Sequence, residues 1–180
     1  MKRIIYSPGE PAGIGPDLII KIASSQSWEN FKIPIVSIGD PSLFLERAKL
    51  LNKKIKVIQI DSVINSKPNR RGFLQVIKTI KCKKTAPGKL HKLNGEYVLN
   101  NLDYAIKETI KNQKYALVTG PLSKENVISL DKSFSGHTEY IQKITKSNDV
   151  LMMLASDKLK VALATTHIPL KEVHKKIKRQ

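Results

Sequence analysis

The chain has a single cysteine, Cys82, in 180 residues, which excludes an internal disulfide and the paired spacing of a structural zinc site. It has no apolar run near the ~20 residues needed to cross a bilayer. Met1-Lys2-Arg3 leads into only Ile4-Ile5-Tyr6, too short a stretch for a secretory leader, so the expected location is cytoplasmic and no membrane partner is expected. Aromatic residues are scarce at 6%, and acidic ones are outnumbered, 15 against 32 Lys and Arg, giving a net charge of +17. Nucleic-acid binders gather such charge into a stripe with rings or a helix-turn-helix to read bases. Here the lysines are scattered, from Lys53-Lys54 through Lys81, Lys83 and Lys84 to Lys171 and beyond. That scatter fits a compositional bias, so no nucleic-acid partner is expected. The surplus charge would still draw in a phosphorylated small molecule.

What is present describes a globular chain: 41% hydrophobic and 26% charged residues, long enough to bury a sizeable core. Arg3–Ser7 reads as a strand, followed by a loop with Gly9, Gly13 and Gly15. Pro16 and Asp17 then open a helix whose apolar face is Leu18, Ile19, Ile22 and Ala23. The glycine spacing is neither a dinucleotide fingerprint nor a Walker A loop. Ile33–Ile38 and Ile55–Ile60 read as further strands around a helix carrying Leu43, Phe44, Ala48 and Leu51. The order βαβαβ predicts mainly parallel pairing. From Asp61 to Lys92 the pattern weakens, which suggests an excursion or a sheet edge, with His91 a solvated loop residue. Asn94 is a candidate cap for a helix running to about Lys111, and Tyr115–Thr119 reads as a fourth strand ending in Gly120-Pro121.

Two apolar runs, Val150–Ala155 and Val161–Ala164, read as strands buried on both faces. The second delivers His167 at its exit, where ligands bind in open α/β sheets. A lone histidine is nonetheless more often structural than a ligand.

Taken together, Gly136-His137-Thr138-Glu139, Val150–Ala155 and Val161–Leu170 closely resemble the 4-hydroxythreonine-4-phosphate dehydrogenases of vitamin B6 biosynthesis. Pro8–Asp17, Ala86-Pro87-Gly88, Asn94–Tyr97 and Thr119-Gly120-Pro121 with Lys124 agree with that family in the same order. The resemblance implies an α/β fold of the isocitrate and isopropylmalate dehydrogenase type, a mainly parallel sheet with flanking helices. The fold would be incomplete, with residues 1–180 forming the N-terminal portion of a two-domain dehydrogenase whose C-terminal half is absent. It implies NAD- or NADP-dependent oxidation of 4-hydroxythreonine 4-phosphate to a 3-oxo acid that loses carbon dioxide to give 3-amino-2-oxopropyl phosphate. A divalent metal (zinc, magnesium or cobalt) would lower the pKa of the reacting hydroxyl. By the same resemblance His137 and Thr138 contact substrate, His167 is one of three histidine metal ligands, and Glu10, Asp17, Thr119 and Lys124 lie beside the site. No catalytic residue is assigned. The implied partner is a second copy in a homodimer, or a complementary C-terminal fragment, and the other metal histidines would lie beyond Gln180. Two alternatives stay open: a dehydrogenase of related four-carbon phosphorylated sugar acids, and a non-catalytic basic α/β domain that binds an anion or a partner chain.

Overall fold

The computed structural model describes residues 1–166 and 168–177. They fall into two compact units, Met1–Thr145 and Lys146 onward. The first is built on a five-stranded sheet of order β3-β4-β2-β1-β5, all of whose neighbours pair in parallel. Its strands are β1 (Arg3–Ser7), β2 (Ile35–Ile38), β3 (Lys56–Gln59), β4 (Phe73–Ile77) and β5 (Tyr115–Thr119), interleaved with α1 (Gly15–Ala23), α2 (Pro41–Leu50) and α3 (Asn94–Ile110). Helices α4 (Lys124–Ile128) and α5 (His137–Thr145) follow.

Because alternate strand residues face opposite ways, the buried clusters assign each helix to a face. Ile19, Ile20 and Ala23 of α1 and Phe44 and Ala48 of α2 pack with Tyr6, Ile35, Leu74 and Val76. On the other face Ala105 of α3 packs with Ile5, Val36, Ile38 and Ile77. The sheet is therefore covered on both sides, as parallel sheets require. Trp28, fully buried beneath the first face, donates its indole N–H to the Phe73 carbonyl at 3.2 Å.

Three sequence expectations are corrected. Residues 61–92 hold β4, which is not an excursion or an edge but sits between β2 and β3. Asn94 does not cap α3. It is the first helical residue, and its side chain instead clamps Lys83, accepting from that residue's N–H at 2.8 Å and donating to its carbonyl at 2.9 Å.

The third correction concerns the second unit. Its two apolar runs form a separate antiparallel hairpin, β6 (Met152–Ala155) with β7 (Lys160–Leu163), rather than buried strands of a parallel sheet. All of β6 and nearly all of β7 are exposed. The connection explains the pairing: four residues, Ser156–Leu159, close a turn with Ser156 N–H on the Leu159 carbonyl at 2.7 Å, whereas a parallel pair needs a crossover of roughly a dozen residues. A short helix, α6 (Val173–Lys176), completes the described part of this unit. Among the described residues no helix is long and apolar enough to cross a membrane.

Candidate functional site

The C-terminal edge of the sheet is where an open α/β fold presents its chemistry, and here several distant segments are knit together along it. The loop after β1 and the loop after β5 share backbone bonds: Gly120 N–H donates to the Ser7 carbonyl at 2.7 Å, and Glu10 N–H to the Pro121 carbonyl at 3.0 Å. Two glycines make this approach possible. A Cβ on Gly9, whose φ is +76°, would overlap the Pro121 carbonyl, and one on Gly120 would overlap the Pro8 carbonyl. Gly88 N–H reaches the Ala12 carbonyl at 2.8 Å, which brings the Ala86-Pro87-Gly88 segment onto the same loop.

Glu10 lies at the centre of this block, 4% exposed. Its Oε1 accepts from Ala12 N–H at 3.2 Å and its Oε2 from Asn126 Nδ2 at 3.0 Å. Asn126 also donates to the His91 carbonyl at 3.4 Å, so one amide on α4 ties three segments together. Nothing in the sequence singled out Asn126; the only signal was its place just after the Gly-Pro turn.

A second polar knot lies at the start of α2. Asp40 caps that helix, its Oδ1 accepting from Ser42 N–H at 2.9 Å, while Oδ2 accepts from Cys82 N–H at 3.0 Å. Asp40 N–H donates to the Tyr97 hydroxyl at 3.0 Å. The half-buried Cys82 thiol is pushed up to about 12, by burial first and then by the negative charges of Asp40, Glu10 and Glu46. It is a protonated thiol at neutral pH rather than a nucleophile.

The residues expected at the site meet different fates. Glu10 is in the block. Asp17 is not a free polar group: both its oxygens are held by Arg47, at 2.7 and 2.6 Å, and Arg47 also donates to the Gly13 carbonyl at 3.0 Å. It locks α1 to α2. Thr119 ends β5 in register with Ser7, and Lys124 is exposed at the start of α4. His137 and Thr138 open α5, both partly buried. That helix is fixed from beneath by Tyr140, whose ring packs against Phe134 and whose hydroxyl bonds Asp103 at 2.6 Å. Burial lowers the pKa of His137, so its imidazole is neutral at physiological pH. Among the described residues no hydrogen bond or ion pair joins Lys124, His137 or Thr138 to Glu10. The metal-ligand expectation falls on His167, which lies outside the described residues.

The family model described as pyridoxal phosphate biosynthetic protein PdxA matches residues 30–180. The 4-hydroxythreonine-4-phosphate dehydrogenase of Colwellia psychrerythraea is 42% identical over 176 residues, 98% of this chain and 53% of that protein. The enzyme of the same name from Pseudoalteromonas translucida is 41% identical over 175 residues, 97% of this chain and 52% of that one. Among solved structures, a 4-hydroxythreonine-4-phosphate dehydrogenase from Klebsiella pneumoniae superimposes with a TM-score of 0.80 at 28% identity, covering 96% of this chain and 53% of the other. The chain thus spans about half the length of the relatives it matches.

Proposed function

The chain belongs to the family of the pyridoxal phosphate biosynthetic protein PdxA, and from that premise we propose that it forms the N-terminal half of a dehydrogenase acting on 4-hydroxythreonine 4-phosphate with NAD or NADP. The observation that supports this most is convergence. Pro8–Asp17, Ala86–Gly88 and the Asn126 helix that follows Thr119-Gly120-Pro121 are distant in sequence yet joined by direct hydrogen bonds at one sheet edge. A preorganised edge of this kind holds a substrate in a fixed pose.

In this reading His137 and Thr138 hold the substrate from the first turn of α5. A neutral imidazole accepts or donates one hydrogen bond without an unpaired charge to desolvate, and the threonine hydroxyl does both. Tyr140 and Phe134 set the angle at which that turn is presented. When bound, a dinucleotide would supply the hydride acceptor, and a divalent metal (zinc, magnesium or cobalt) would lower the pKa of the reacting hydroxyl. Among the described residues no group of three or more His, Cys, Asp or Glu is placed to hold a metal. The reading therefore has this chain contribute His167 alone, with the remaining ligands supplied by the complementary half or a partner copy in a homodimer, in the cytoplasm.

The test is complementation. The C-terminal half of the Colwellia relative is added in trans, and reduced cofactor is followed by absorbance with 4-hydroxythreonine 4-phosphate as substrate. Reduction is expected only when both halves are present, and is expected to be lost with His167→Ala. Absence of turnover with either cofactor, while the intact relative is active under the same conditions, would overturn the proposal.

A further inference from the structure

The connections leaving the sheet reverse direction at β2 and β4. The chain leaves β2 for α2, on the face that carries α1, and leaves β4 for α3, on the opposite face. Neighbouring strands whose connections part in this way leave a crevice outside their carboxyl ends. It opens here as a cleft of about 380 Å³ lined by Ser42 and Glu46 of α2 and by Lys81, Cys82, Lys83 and Lys84. A second cleft of about 630 Å³ shares Glu46 and Lys84 and adds Lys49. The basic wall is not a loose loop. Cys82 N–H is held by Asp40 at 3.0 Å, Lys83 is clamped through both its backbone groups by Asn94, and Gly88 is pinned to Ala12. Three lysines thus line the first cleft and Lys49 the second, against the Glu46 carboxylate that both share, with Asp40 and Glu10 close enough to act on Cys82.

We propose that this β2/β4 crevice binds a phosphate-bearing small molecule, an anion of pyrophosphate size held by Lys81, Lys83 and Lys84. Its volume lies at the lower end of the range for ligand clefts, and Asp40 occupies the helix end, so the lysines and not the helix dipole supply the attraction. Ammonium groups on flexible stems grip phosphate as point charges. The site stands on the cleft and its charge, not on the proposed reaction.

Calorimetric titration of the chain with inorganic pyrophosphate, NAD and NADP tests it without turnover. Removing Lys83 or Lys84 as alanine is expected to weaken pyrophosphate about two- to fivefold each, the worth of a well-exposed ion pair. Lys83→Glu with Lys84→Glu is expected to abolish binding, and Glu46→Gln to tighten it. Lys53→Glu with Lys54→Glu makes the same change of charge elsewhere and is expected to change little. Competition between pyrophosphate and a dinucleotide would identify the cofactor as the source of the phosphate. Pyrophosphate binding without dinucleotide binding would still support the site and point to a simpler phosphate ester. Equal weakening by the Lys53/Lys54 control, or no pyrophosphate binding at all, would overturn it, whether or not complementation yields a dehydrogenase.

Discussion

Replacing Asp17 by alanine tests whether that carboxylate belongs to a ligand site or to the frame. Arg47 is 4% exposed, and Asp17 is its only ion-pair partner among the described residues, bonded through both oxygens. The Gly13 carbonyl takes one further bond, and Nη1 is buried without a partner. Truncation would strand a guanidinium whose side chain is only 5% exposed. Breaking a buried pair from one side costs about 3–5 kcal/mol, a large share of the 5–15 kcal/mol that holds an ordinary domain together. With a urea slope of about 2–3 kcal/mol/M, the unfolding midpoint followed by far-UV circular dichroism should fall by roughly 1–2 M. Asp17→Leu combined with Arg47→Met should recover most of the loss, since the charge and its partner leave together. A loss below about 1 kcal/mol for Asp17→Ala, against the 3–5 kcal/mol expected of a buried pair, would refute the structural role and return Asp17 to the list of ligand contacts.

Two further predictions concern titration. Cys82, with its thiol pushed up to about 12, should react with iodoacetamide near pH 8.5 at least ~10²-fold more slowly than an unstructured cysteine, which is about half thiolate there. Urea should restore the ordinary rate, and equal rates in the folded and unfolded chain would contradict the burial argument. His137 has its pKa lowered by burial, so the unfolded chain holds the proton more tightly. Its stabilising contribution is present above the ordinary value of about 6.5 and is lost as pH falls through the lowered value. Urea midpoints measured from about pH 5 to about pH 7.5 should rise more steeply for the native chain than for His137→Asn. Parallel profiles would show that this ring is not desolvated.

Much of the sheet could be read from the letters because β1, β2, β3 and β5 each fall on a short stretch rich in apolar residues. Strand β4 was hidden by Gln75, which breaks its apolar pattern. That glutamine is 7% exposed and satisfied, accepting from Lys67 N–H at 2.7 Å and donating to the Lys67 carbonyl at 2.8 Å. A polar side chain that fastens the preceding loop looks, in sequence, like the loop itself. The hairpin of β6 and β7 is masked in the letters because apolar content does not separate a buried strand from an exposed one, whereas a four-residue connection admits only antiparallel pairing. At the candidate site, the Gly-Pro and Pro-Gly segments were visible as family-like patterns. The hydrogen bond between Glu10 and Asn126 spans 116 positions, and no local pattern encodes a pairing of that separation.

The abutting backbones of the first and fifth strand loops carry one more implication. Where Gly9 and Gly120 leave no space even for a methyl group, no side chain can be grown between the two loops. Variation along this sheet edge is therefore confined to the segments that flank the junction, while the junction itself keeps one shape.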